Sequence, residues 1–274
     1  MKKSIYLLLL TVFFVSCKDN KDYLVNIKTD YGNMLVLLYE ETPLHKKNFL
    51  ELAKSGSYDS TIFHRVIEDF MIQGGNVAEK TGVPEKEEDR IPAEIVDGYY
   101  HTKGSLAAAR QGDNVNPEKK SSSTQFYIVD GKPWDALATD INRLYQEMTN
   151  CLQDTSNAEL IESYKEVYAK RDNQVIMDFL LKNKSLVEEI RGVDLTIDPG
   201  TKNNNAYKEL GGSPFLDGEY TVFGRVVEGM EIIDKIAAVK TQRPDRPIDP
   251  VYMSMELVEM KKKEITEKYD YSYE

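Results

Sequence analysis

Cysteine and histidine are scarce in this chain. Its 274 residues hold two cysteines, Cys17 and Cys151, and three histidines, His45, His64 and His101, none paired at metal-ligand spacing. Such a set supports neither a zinc centre nor a disulfide framework. No glycine-rich phosphate loop and no serine nucleophile elbow occurs, so no cofactor is expected and the standard nucleotide-binding and hydrolase readings fall away. Net positive charge is missing as well. The formal charge is −11, which argues against nucleic acid as a partner. The longest apolar run, Ile5 to Val15, is too short to span a bilayer.

What is present begins with a leader. Met1-Lys2-Lys3 is a basic start, Ile5 to Val15 an apolar middle, and Val15-Ser16-Cys17 a pair of small residues followed by cysteine. The pattern suits a secretory signal over residues 1–16. It resembles a bacterial lipobox, with Phe14 where that motif usually has Leu. The resemblance implies lipid on Cys17, a polar tether over residues 17–22, and a protein anchored to a membrane of the bacterial cell envelope, outside the cytoplasm. Cys151 then has no cysteine to pair with and reads as a buried apolar residue.

Beyond the tether, hydrophobic residues make up 41% of the chain, enough for a packed core. Tyr23–Thr29 and Asn33–Tyr39 are β-rich runs joined by Asp30-Tyr31-Gly32, a hairpin. Pro43 opens a helix that runs to Lys54 and stops before Gly56. Residues 76–102 read as polar and irregular, with the charge run 85–90 as a solvated loop. Helical spacing returns at Met230–Val239, and strand alternation at Val251–Met260. Residues 261–274 read as a mobile, charged tail.

Residues 133–207 differ in kind. Trp134, Leu137, Ile141, Leu144, Tyr145, Met148 and Leu152 fall at helical spacing. The only tryptophan is placed to dock the first helix. Ser156 with Glu159, and Ser185 with Glu188, read as capping boxes, and Gly192 as a helix stop. This predicts two or three helices inserted into a β protein. The segment leaves where the strand Gln125–Val129 ends and returns just before Phe215, so it is expected at the rim of any site those residues build, and dispensable for short substrates.

The stretch that organises the rest is Phe63-His64-Arg65-Val66-Ile67-Glu68-Asp69-Phe70-Met71-Ile72-Gln73-Gly74-Gly75. It reads as two short strands. Arg65 sits among large apolar neighbours with a charge it cannot lose. An unpaired, buried guanidinium would be very costly, so Arg65 is paired, at the surface, or lining a cleft. Period-2 alternation puts His64 and Arg65 on opposite faces, which makes His64 a core or structural residue.

Together with Ser123-Thr124-Gln125-Phe126-Tyr127-Ile128-Val129 and Phe215-Leu216-Asp217-Gly218-Glu219-Tyr220-Thr221-Val222-Phe223-Gly224, this stretch resembles the three signature blocks of the cyclophilin family of peptidyl-prolyl cis-trans isomerases. The resemblance covers about residues 23–132 and 212–260. It implies a mainly β fold: a closed antiparallel β-barrel capped by two α-helices, here with the helical insertion 133–207 between a first part (23–132) and a second part (208–260). It also implies prolyl isomerase activity on proline-containing peptides and unfolded exported proteins. By position in the three blocks and in Gly104–Arg110, which in the family corresponds to the strand a bound peptide runs beside, Arg65 and Gln73 take the catalytic places. Phe70, Met71, Ala109, Arg110, Gln125, Tyr127, Phe215, Leu216 and Tyr220 take the substrate-binding ones. Tyr127 stands where the family most often has Phe, Arg110 where it often has Asn, Phe215 where it has Trp and Tyr220 where it has His. The alternative is a catalytically weak peptide-binding or chaperone module in which the insertion meets a client or partner.

Overall fold

The protein is described by a computed structural model covering residues 20–133, 139–196 and 202–273. The leader 1–16, Cys17, Trp134, Leu137 and residues 198–201 of the return from the insertion lie outside the described residues. In chain order the elements are β1 (Lys21–Thr29), β2 (Gly32–Leu38), α1 (Pro43–Lys54), β3 (Thr61–Ile67), β4 (Met71–Gly74), α2 (Val77–Thr81), β5 (Ser105–Ala108) and β6 (Phe126–Val129). The helices α3 (Ile141–Gln153), α4 (Ala158–Ala169), α5 (Asn173–Lys182), α6 (Lys184–Arg191) and α7 (Lys202–Leu210) follow. The chain ends with β7 (Val222–Glu228), α8 (Met230–Ala237), β8 (Thr241–Gln242), β9 (Arg246–Pro247), β10 (Tyr252–Lys261) and α9 (Lys262–Tyr269).

Eight strands close a barrel in the order β1-β10-β3-β4-β6-β5-β7-β2. Closure leaves no unpaired edge. Inside, Val25, Ile27, Val36, Phe63, Val66, Ile72, Leu106, Phe126, Ile128 and Met253 form one core. Two helices close it: α1 through Phe49 and Ala53, and α8 through Ile232, Ile233, Ile236 and Ala237.

The N-terminus of α1 is capped from a distance. Thr42 makes no side-chain cap. Instead the Glu94 carboxylate accepts from the Leu44 and His45 amides (3.1 and 3.0 Å) and from His45 Nδ1 (2.6 Å). A carboxylate there satisfies orphan N–H groups and the helix dipole together. His45 is buried, and its Nε2 has no hydrogen-bond partner among the described residues. Burial pushes its pKa down, against the pull of Glu94. Burial also lowers that of His64.

Both histidines therefore bind protons more weakly folded than unfolded. Their contribution is intact above the unfolded value of 6.5 and is lost as pH falls below it toward the folded values. Thermal unfolding measured from pH 8 to 5 should show a flat region and then a fall beginning near 6.5, part of which His45→Gln removes. An unchanged pH profile in that variant would assign the acid sensitivity elsewhere.

Among the described residues the insertion holds five α-helices rather than two or three, and a core of its own: Ile141, Leu144, Met148, Cys151, Leu160, Met177, Leu180, Val187, Leu195 and Tyr207. α3 begins at Ile141, later than the apolar spacing predicted, because the Asp140 side chain accepts from the Arg143 amide at 3.0 Å and caps it. The two predicted capping boxes do not form. Asp154 takes the amide of Ser156 and starts a single 3-10 turn ahead of α4. Glu188 turns instead to Lys184 and to the Leu195 amide, both within 2.9 Å. Gly192, left-handed at φ 64°, does end α6.

The insertion leaves and rejoins the barrel through a tight stem. Gly212 N–H donates to the Lys132 carbonyl (3.2 Å) and Lys103 N–H to the Gly211 carbonyl (3.0 Å). A Cβ on Gly212 would lie 2.2 Å from the His101 carbonyl oxygen, and one on Gly131 would lie 2.5 Å from Gly212 Cα. Only glycine fits.

Residues 85–90 are not simply solvated. Glu85 accepts from the Ser123 amide at 2.5 Å and from the Ser122 and Ser123 hydroxyls, which pins that loop ahead of β6. Residues 20–22 and 259–273 form a small unit distinct from 23–258. The predicted mobile tail is instead α9 with Ile265, Tyr269 and Tyr271 buried. Lys262 lies over the Tyr273 ring, and the Tyr273 hydroxyl donates to Asp22 at 2.8 Å. Lys21 and Asp22, read as tether, already belong to β1.

Candidate active site

Strand register sorts the signature residues onto two faces. Val66, Ile72, Ile128 and Leu106 are mutual partners across β3, β4, β6 and β5 and face the core. The neighbouring row, Arg65, Gln73, Tyr127 and Ala107, is also in register and points the other way. The site is thus built on the outside of the barrel wall.

Arg65 reaches that face through an irregularity. Phe63 pairs with Gly74 and Arg65 with Gln73, so His64 is an extra residue in β3. Were His64 paired in an unbroken ladder, Arg65, two residues beyond Phe63, would share its core face; the bulge leaves His64 out of the count and sets the two on opposite faces. The bulge breaks the alternation, and His64 is not a core residue. It is partly exposed, and its Nε2 lies 3.4 Å from Gln73 Nε2. The Arg65 side chain is 43% exposed, with Nε 3.6 Å from Asp245 Oδ2. Asp245 sits left-handed at φ 73°, and its carbonyl accepts the Val66 amide at 2.8 Å.

Beside this row lies a pocket of about 260 Å³ lined by Arg65, Phe70, Met71, Gln73, Ala109, Arg110, Tyr127, Leu216 and Tyr220. Its floor is apolar and the cation stands at the rim, a shape suited to a small ring with a polar backbone. The β3–β4 turn that places Phe70 and Met71 is fixed by Asp130. That carboxylate accepts from the Asp69 amide (2.8 Å) and from Lys103 (3.0 Å), and the Asp130 amide donates to the Phe70 carbonyl (2.9 Å).

Two predicted site residues do not line the pocket. Gln125 accepts from Gln73 Nε2 at 3.2 Å and acts one step back. Phe215 lies behind Phe70, ring centroids 5.5 Å apart at 33°, and packs against the core of the insertion. The turn Pro214–Leu216 presents Leu216 to the pocket and Phe215 to the helices. The Arg110 side chain is occupied rather than free. Its guanidinium donates to the Glu219 carbonyl (2.8 Å) and to Asp113 (2.5 Å) and lies 4.5 Å from the Tyr220 ring centre. It braces the pocket wall.

The Tyr127 hydroxyl does not enter the pocket. It meets Nε2 of fully buried His101 at 3.0 Å. His101 Nδ1 and backbone N–H both reach Asp217 Oδ1, at 2.9 and 2.8 Å, while Tyr207 donates to Asp217 Oδ2 at 2.6 Å. Burial keeps the Tyr127 and Tyr207 phenols far above their ordinary pKa. His101, Asp217, Tyr207 and Asp245 escaped the sequence reading. Each is a single polar residue, and only the fold brings them to the site.

An outward-facing arginine and glutamine over an apolar pocket, on a closed eight-stranded barrel with two capping helices, define the class. The family model for cyclophilin type peptidyl-prolyl cis-trans isomerases matches residues 24–175 and 196–256. The chain belongs to the cyclophilin-type family and is a peptidyl-prolyl cis-trans isomerase. It is 27% identical over 230 residues to a peptidyl-prolyl cis-trans isomerase of Schizosaccharomyces pombe, covering 83% of this chain and 93% of that protein. A Streptococcus pyogenes protein, whose name joins a phosphatase to a peptidyl-prolyl cis-trans isomerase, is 31% identical over 232 residues. Those residues are 83% of this chain but 37% of that protein, so the chain spans little more than a third of its length. Among solved structures, a cyclophilin-type isomerase of Cryptosporidium parvum shares the fold with a TM-score of 0.51 at 20% identity, over 86% of this chain and 96% of its own. It was also solved in the presence of the dipeptide Ala-Pro.

Proposed function

We propose that the chain isomerises X-Pro bonds in exported proteins, with Arg65 as the catalytic cation, while lipid on Cys17 holds it at the bacterial cell envelope. The observation that carries the catalytic part is the convergence of Arg65, Gln73, Phe70, Met71, Tyr127 and Leu216 on one pocket. Rotation about an amide faces a barrier of about 18–20 kcal/mol because the nitrogen lone pair is conjugated. For X-Pro the isomers differ by only about 0.5–1 kcal/mol, yet exchange in tens to hundreds of seconds. Catalysis therefore needs no covalent chemistry. It needs one side of the bond held and the twisted amide stabilised. The apolar floor takes the proline ring. Gln73, beside Arg65 in register, meets the substrate backbone. The guanidinium donates toward the prolyl nitrogen when its lone pair leaves conjugation, an interaction stronger in the twisted state than in either planar one. Ala-Pro in a structural neighbour supports a proline-containing peptide as the ligand.

The envelope part rests on the basic start, the apolar run Ile5 to Val15 and the Val15-Ser16-Cys17 pattern. Among the described residues no helix is long and apolar enough to cross a membrane. The catalytic part is tested on a soluble fragment beginning at Lys18 with a proline tetrapeptide, where exchange at the uncatalysed rate would refute it. Cys17→Ser is expected to move the full chain from the membrane to the soluble fraction, since an acyl chain is a strong apolar anchor. Complete retention in membranes would refute the anchor.

A further inference from the structure

The insertion touches the pocket through one continuous run of hydrogen bonds. Tyr207, in α7, is 1% exposed and its hydroxyl donates to Asp217 Oδ2 at 2.6 Å. Asp217 lies beside the pocket residue Leu216, and its other oxygen takes both the backbone N–H and Nδ1 of His101. With the proton on Nδ1, the imidazole presents Nε2 as an acceptor. The Tyr127 hydroxyl fills it at 3.0 Å. The high pKa of the buried phenol keeps Tyr127 a donor. The Tyr127 ring is the wall of the pocket, edge-on to Tyr220 with centroids 5.9 Å apart. The links run hydroxyl to imidazole, imidazole to carboxylate, and a second hydroxyl to the same carboxylate. Buried chains of this kind fix geometry because each bond polarises the next.

We propose that Tyr207, Asp217 and His101 are positioning residues that hold Tyr127 with its hydroxyl turned out of the pocket, so that the insertion tunes turnover of even the shortest proline peptide. This rests on the isomerase reading of the pocket and revises the expectation that the insertion is dispensable for short substrates. Were Tyr127 free to turn its hydroxyl inward, an unpaired polar group would face the proline ring.

The test is a double-mutant cycle with Tyr207→Phe and Tyr127→Phe, both of which keep their rings. Tyr207→Phe is expected to lower kcat/KM on a tetrapeptide about three- to tenfold, less than the full worth of one charge-assisted hydrogen bond. In the Tyr127→Phe background it should change kcat/KM no further, because the relay has lost its end. A purely structural Tyr207 would lower the melting temperature and leave kcat/KM alone, or its effect would add fully in the double variant. Either result overturns the proposal. A second readout does not depend on turnover: exchange of the His101 Nδ1 proton, followed by NMR, should quicken several-fold in Tyr207→Phe. Unchanged exchange overturns the relay in an active protein. Absent turnover in the parent, with faster exchange in the variant, overturns the isomerase reading and leaves the relay standing.

Discussion

Arg65→Ala is expected to lower kcat/KM on a proline tetrapeptide by about 10²–10³, the loss seen when one preorganised donor to a transition state is removed. The melting temperature and the Kd for the same peptide should change little. The side chain is 43% exposed and its pairing with Asp245, at 3.6 Å, is loose, and a half-exposed pair of that kind is worth about 0–1 kcal/mol. Arg65→Lys should recover only part of the rate, since an ammonium offers a point charge where a planar fork is needed. Stopped-flow or NMR exchange on the three proteins decides it. Turnover within twofold of the parent in Arg65→Ala would remove Arg65 from the mechanism.

Deleting His64 should cost far more than any substitution at that position, and in rate rather than in stability. Phe63 already pairs with Gly74 and Arg65 with Gln73, so the shortened strand alternates regularly and keeps the guanidinium on the outer face. What it loses is the local bend by which a bulge re-aims a side chain. A misplacement of about 1 Å can cost about 10²-fold in rate. The deletion variant should therefore unfold cooperatively, as the parent does, and lose about 10²-fold in kcat/KM. His64→Ala keeps the backbone count and should keep the bulge. It should fold, with a modest effect on rate through the lost contact to Gln73. A deletion variant with the turnover of the parent would show that the aim of Arg65 does not depend on the bulge.

The bulge also marks where sequence reasoning ran out. Alternation in Val251–Met260, the Pro43 start of α1 and the hairpin ahead of it are local patterns, and the barrel carries them as expected. Nine of the eleven catalytic and substrate-binding residues named from the family resemblance line one pocket, because strand register converts spacing into a face. A bulge adds one residue with no change in composition, so alternation placed His64 in the core. Phe215 was legible as an apolar ring but not as one claimed by the insertion, since nothing in its neighbourhood of sequence says which core it joins. The buried group His101, Asp217 and Tyr207 comes from three separate segments, and no single window of sequence contains it. The capping boxes failed for a related reason: a nearby Asp or a better partner competed for the same donors.

The glycine stem bears on how such a protein can diversify. Lys132 and Gly212 are hydrogen-bonded across the point where the helices depart, so the barrel experiences the whole insertion as a closed turn whatever its content. Lengthening a loop whose ends are already together adds little to the free energy of closure. A different helical cassette could be grafted between Lys132 and Gly211 without shifting β6 or the turn that carries Leu216. The surface the helices present can then change while the pocket stays fixed. The exchange has one rule attached: a phenol must arrive at the place of Tyr207, or the borrowed cassette comes with a slower enzyme.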